Sequence, residues 1–180
     1  MLIRAQDCLL LVIDIQTQLA KVMPALDPCL ERILLLLEAA KTCDVPVMAT
    51  EQYPKGLGPT LPAVAAYIDP ADVTAKLAFG AVGEPGFVEA LERHGRDTVV
   101  VIGMEAHVCV LQTALGLAGL GRHVVVVADA VQSRKEQSKA LALERMRRAG
   151  VTVANAEMVV FEWLGRAGTP AFKHMIGRIK

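Results

Sequence analysis

Aromatic residues are scarce in this chain: one Trp, two Tyr and four Phe in 180 positions. A core of packed rings is excluded, and the interior has to rest on Leu, Val, Ile and Ala. Charge of one sign is also lacking. Lys and Arg total 19, Asp and Glu total 19, and the formal net charge is 0, so neither nucleic acid nor an anionic membrane is expected as a partner. Long apolar runs are missing too. The first, Cys8 to Ile13, is closed by Asp7 and Asp14 and has no small-residue cleavage site after it; the helical cluster Ile33 to Leu37 stops at Glu38. Both are too short for a membrane span. The four cysteines, Cys8, Cys29, Cys43 and Cys109, form no CxxC pair. That spacing excludes a regular disulfide framework and predicts free thiols in a cytoplasmic protein. The four histidines, His94, His107, His123 and His174, stand at no ligand spacing, so no metal and no cofactor is expected.

What is present is a chain with 53% hydrophobic residues and a mean hydropathy of +0.41. That composition excludes disorder and predicts a single domain over residues 1–180. So many apolar residues on a small surface also predict a homo-oligomer. Strands are expected at Cys8–Ile13, Val45–Thr50, Thr98–Ile102, His123–Val127 and Val151–Ala154. Between them lie amphipathic segments. From Pro28 to Thr42, Leu30, Ile33, Leu34 and Leu37 recur at i, i+3, i+4 and i+7. Phe87–His94, Val110–Leu120 and Glu136–Arg148 read as further helices, and a terminal helix starts near Thr169. Continuous apolar strands alternating with helices predict an α/β fold, a three-layer α/β/α sandwich with a mainly parallel, Rossmann-like central sheet. Ligands of such sheets bind beyond the carboxyl ends of the strands, where the strand order reverses.

Three residues could carry chemistry at those ends. Asp14 closes the first strand in Val12-Ile13-Asp14-Ile15-Gln16; a carboxylate there either lines a cleft or serves as a helix cap. Cys109 follows Gly103-Met104-Glu105-Ala106-His107-Val108, with Gly103 permitting a tight turn. A thiol in the first turn of a helix is favoured as thiolate, whereas a cysteine used for packing is inert. Lys76, in Thr74-Ala75-Lys76-Leu77-Ala78-Phe79, either snorkels along the surface or serves a site. Gly116–Gly121 ends a helix rather than opening one, and Lys55–Thr60 lacks the Gly-Lys-Ser/Thr of a P-loop, so phosphate binding is not expected.

Taken together, Asp14 with Gln16, Lys76 with Phe79 three residues on, and the turn Gly103–Val110 into Cys109 resemble the isochorismatase-like cysteine hydrolases. The branch of isochorismatase-domain-containing proteins, which share the EAHVC-type turn, is the most similar. The resemblance implies catalytic roles for Asp14 as general base, Lys76 as the cation favouring the thiolate, and Cys109 as nucleophile toward a small amide-like substrate. It also implies a cis peptide at Met104–Glu105 and an oxyanion hole from the backbone N–H groups of Glu105 and Cys109. Gln16, Leu19, Gln52, Tyr53, Phe79 and His107 are the expected pocket walls, and the loop Tyr53–Pro62 a flap or interface. Metal-using nicotinamidases of the superfamily carry an Asp-x-His pair after the second strand. Here Thr50–Gly58 has no histidine, so metal-dependent chemistry is not expected. Vinyl-ether hydrolysis and a non-catalytic binding module on the same fold are the alternatives.

Overall fold

In the computed structural model, which describes residues 2–179, six strands form one parallel sheet. They are β1 (Cys8–Ile13), β2 (Val47–Gln52), β3 (Val73–Lys76), β4 (Thr98–Met104), β5 (His123–Gln132) and β6 (Thr152–Ala154), in the order β3-β2-β1-β4-β5-β6. The helices are α1 (Thr17–Ala20), α2 (Leu26–Thr42), α3 (Pro54–Leu57), α4 (Pro62–Ala65), α5 (Phe87–Glu92), α6 (Leu111–Gly119), α7 (Glu136–Arg148), α8 (Ala156–Leu164) and α9 (Pro170–Ile179). No helix among the described residues is long and apolar enough to cross a membrane.

Alternation along the strands separates two apolar layers. Leu10, Val12, Val100, Ile102, Val125 and Val127 pack beneath α2, α8 and α9. Leu9, Leu11, Ile13, Val99, Val101 and Val126 face the opposite way, onto α5, α6 and α7. Both faces are covered, which is why β1 and β4 are buried at every position and carry no polar alternation. The helix expected from Pro28 starts two residues earlier, at Leu26, because Pro28 fits the first turn, where no amide donor is needed. Asn155 caps α8 by accepting the Met158 amide, and Gly165 closes it with φ +66°.

The structure corrects the sequence expectations in five places. There are six strands rather than five: β3, absent from the expected strands, is an edge strand of four residues. β2 lies two residues later than expected, and β5 runs on past Ala128 and Asp129 to Gln132. α8 was not anticipated. The helix after Cys109 begins with a π-helical turn, Ala106–Val110, before α6.

Candidate active site

Strand order reverses between β1 and β4, and both carry a candidate residue just past their ends. Asp14 follows β1 directly, and Cys109 sits in the π-turn after β4. Register brings the others alongside: Ile13 pairs with Thr50 of β2, and Gln52 of β2 pairs with Lys76 of β3. Gly103 is not in a turn, as the sequence suggested, but within β4 opposite Ile13, at φ +126°. A Cβ there would stand 2.0 Å from the Ile13 carbonyl oxygen, so only glycine lets β4 approach β1 this closely.

The three candidates meet in a buried polar cluster. Lys76 is 2% exposed and Asp14 0%, and the Lys76 ammonium lies 2.8 Å from Asp14 Oδ2. The Thr50 hydroxyl donates to the other carboxylate oxygen, Oδ1, at 2.7 Å. Asp14 holds φ +50°, a conformation Asp tolerates better than most residues. The same ammonium donates to Gln52 Oε1 at 2.7 Å and to the carbonyls of Ala78 and Phe79, each at 3.3 Å. The Cys109 thiol stands 4.0 Å from Gln52 Oε1.

Burial pushes the Cys109 thiol up to about 12; the Asp14 charge and hydrogen bond add to this, and Lys76 only partly offsets it. The Lys76 cation favours the thiolate, but desolvation and the Asp14 carboxylate outweigh it. The Met104–Glu105 peptide is cis. The Glu105 carbonyl accepts the amides of Val108 and Val110, which bracket Cys109.

The remaining expected residues divide. Gln52 is brought to the centre. Gln16 is buried beneath the site as a clamp: its amide group donates to the carbonyls of Gln52 and Gly58, and its oxygen accepts the Gln52 amide. Glu51 ties the same loop down, accepting both the amide and the hydroxyl of Thr60. Tyr53 and Phe79 lie at the rim, both about half exposed. Leu19 packs against the apolar layer beneath α2. His107 points its Nδ1 to the Ser133 hydroxyl at 2.9 Å, which engages that nitrogen away from Cys109. Glu105 pairs with Arg134 after β5. Thr50 was missed altogether. Its signal was its place opposite the residue before Asp14, which only strand register reveals. Among the described residues no group of three or more His, Cys, Asp and Glu side chains could hold a metal ion.

Comparison with known proteins places this geometry. The profile described as "Isochorismatase domain" matches residues 8–158. Isochorismatase domain-containing protein 2 of Pongo abelii is 38% identical over 146 residues, covering 81% of this chain and 69% of that protein. A solved structure described as MAR1 ribonuclease from Caenorhabditis elegans is 31% identical, with a TM-score of 0.91 over 99% of this chain and 92% of the other. The YcaC gene product of Escherichia coli, described as an octameric hydrolase of unknown specificity, shares the fold. Its TM-score is 0.92 at 24% identity, over 98% of this chain and 90% of the other.

Proposed function

The chain belongs to the isochorismatase-domain family of hydrolases, and from that premise we propose that it cleaves a small amide-like C–N bond through Cys109. One observation carries the proposal: Asp14, Lys76 and Cys109, far apart in sequence, converge on one buried point. An isolated buried ion pair seldom adds stability, so its presence beside a thiol supports a chemical role.

In this mechanism the thiol attacks the substrate carbonyl while Asp14 takes its proton. Burial pushes the thiol up, so attack is coupled to proton transfer to Asp14 rather than relying on a preformed thiolate. Lys76, 2.8 Å from Asp14 Oδ2, supplies the counter-charge to that carboxylate. The backbone N–H groups of Glu105 and Cys109 are the proposed donors to the developing oxyanion. Asp14 then returns the proton to the leaving nitrogen, giving a Cys109 thioester and free ammonia or amine. A water deprotonated by Asp14 hydrolyses the thioester, releasing a carboxylic acid and restoring the thiol.

The neutral thiol also suits a second reading, vinyl-ether hydrolysis, in which a carboxyl group donates a proton and sulfur stays a bystander. RNA cleavage, in line with the description of the nematode structure, finds less support, because the chain's formal charge is 0. The large side chains left exposed, Leu2, Leu141 and Leu120 among them, together with the octameric description of the E. coli relative, support a homo-oligomer. The four free cysteines suit a thiol-reducing compartment such as the cytoplasm.

The test is ammonia release from a panel of small amides, with hydroxylamine added to trap a thioester. Turnover that disappears in Cys109→Ala, with an acyl group found on Cys109 by mass spectrometry, is the expected result. Turnover that persists in Cys109→Ala overturns the thioester route and moves the vinyl-ether reading ahead.

A further inference from the structure

Resting on the amidohydrolase reading, we infer that the site selects an uncharged substrate, a small neutral amide carrying an apolar substituent, and rejects carboxylated ones. The first ground is the saturation of Lys76. Its ammonium has three protons and four protein acceptors: Asp14 Oδ2, Gln52 Oε1 and the carbonyls of Ala78 and Phe79. None is left to recognise a substrate anion. Gln52 in turn commits its own amide group to the Leu77 carbonyl at 2.9 Å, which fixes its oxygen on the ammonium.

The second ground is the charge around the thiol. Among the described residues, the charged groups acting on Cys109 are Asp14 and Lys76, and the Asp14 charge outweighs the cation. Beyond them the balance is negative. Glu84 accepts the amides of Leu77 and Ala78, which hold its carboxyl below the usual range, and it lies close enough to act on Lys76. The cations on neighbouring loops are committed or outside: Lys21 donates to Gln18, Arg134 pairs with Glu105, and Lys55 is exposed. A carboxylate brought to Cys109 would lose its water and meet no free cation.

The third ground is the rim. Leu77 is 71% exposed, Phe79 55% and Tyr53 52%. Their backbones are bound to the site itself: the Leu77 carbonyl accepts from Gln52, the Phe79 carbonyl from Lys76, and the Tyr53 amide donates to the Lys76 carbonyl. Exposed apolar side chains on the segments that hold Lys76 and Gln52 match an apolar substituent on an uncharged amide. The same electrostatics act after hydrolysis. The product acid ionises, and Asp14 and Glu84 then repel what the site had admitted.

The test compares two alkylating reagents of nearly equal size, iodoacetamide and iodoacetate; in each, the sulfur displaces iodide. Labelling rates at Cys109 are measured by peptide mass spectrometry in the native protein and in the urea-unfolded chain. The expected result is a native iodoacetamide-to-iodoacetate ratio roughly tenfold or more above the unfolded ratio. An unchanged or inverted ratio overturns the inference, because a free cation beside the thiol would favour iodoacetate. Failure of both reagents to label native Cys109, with the unfolded chain labelled in parallel, overturns it as well, since the site then admits no small neutral molecule. Ammonia release from benzamide against 4-carbamoylbenzoate, and from isobutyramide against succinamate, separates this inference from the reading beneath it. Equal turnover within each pair defeats neutrality and leaves the amidase standing. Selective labelling without turnover of any amide defeats the amidase and leaves neutrality standing.

Discussion

The middles of β1 and β4 and the tips just beyond them are buried to the same degree, but their chemistry is opposite. Leu9 to Val12 and Val99 to Ile102 are at most 1% exposed and wholly apolar. Past their ends, Asp14 and Gln16 are 0% exposed, and Lys76 joins them at 2%. Burial in the middle stabilises the fold by about 25 cal/mol for each Å² of apolar surface removed from water. Burial at the tips costs stability through desolvation and is offset only while every partner is present. One layer therefore holds the sheet together, and the other is tolerated for what it can do.

Substitutions can break this contrast. Cys109→Ala should separate the two ends most. Activity should fall by on the order of 10⁴-fold or more, while the urea midpoint shifts by no more than about 1 kcal/mol of stability. Lys76→Met leaves Asp14 buried and unpaired and should destabilise the protein by about 3–5 kcal/mol. Adding Asp14→Asn should recover part of that loss, and a double-mutant cycle with a coupling near zero would show that the pair is not a unit. Leu10→Ala, in the apolar middle, should cost about 2–5 kcal/mol and leave kcat unchanged. A large fall in kcat there would mean that the two ends are not separable.

Smaller changes sharpen the contrast. Thr50→Val keeps the shape but removes the donor to Asp14 Oδ1, and should cost about 1–3 kcal/mol. Thr50→Ser should restore most of it; equal stability of all three proteins would show that the hydroxyl does not hold the carboxylate. A separate effect lies in alkaline pH. Burial pushes Cys8 and Cys29 up to about 11 and Cys109 up to about 12, from 9.0. Thiols raised on folding stabilise fully below the unfolded value and lose that contribution as pH rises toward the folded one. Urea midpoints should therefore be insensitive to these thiols below about pH 9. Above it stability should fall as pH rises, and less steeply in Cys109→Ala.

The sequence displayed most of what depends on apolar pattern. β1 stands where its run of six apolar residues put it, and α7 spans Glu136–Arg148 as its periodicity and following glycine indicated. β3 was harder, because Val73-Thr74-Ala75-Lys76 is a short edge strand with only Lys76 buried; a buried lysine is a poor sign of a strand. α8, Ala-Glu-Met-Val-Val-Phe-Glu-Trp-Leu, is rich in β-branched and apolar residues, and its cap Asn155 follows β6 with no break to mark a new element. In the site, Asp14, Lys76 and Cys109 stood out by residue type and placement. Thr50 and the locking role of Gln52 did not, because each exists only through pairing across strands. The direction of the thiol's shift was equally hidden. Sequence shows a lysine within the motif, whereas desolvation depends on how deeply the whole cluster is enclosed.

The strand order β3-β2-β1-β4-β5-β6 also bears on how the protein is made. Asp14, Thr50, Gln52, Lys76 and Cys109 all precede α6, but β5, which pairs along the outer edge of β4, comes afterwards. A nascent chain leaving the ribosome holds all of these polar residues while Thr98–Met104 still presents unpaired amides and carbonyls on an apolar strand. Until His123–Gln132 emerges and docks, that edge is open to pairing with a neighbouring chain. Synthesis thus completes the buried polar cluster before it closes the edge beside it, and any pause between residues 110 and 132 prolongs that exposure.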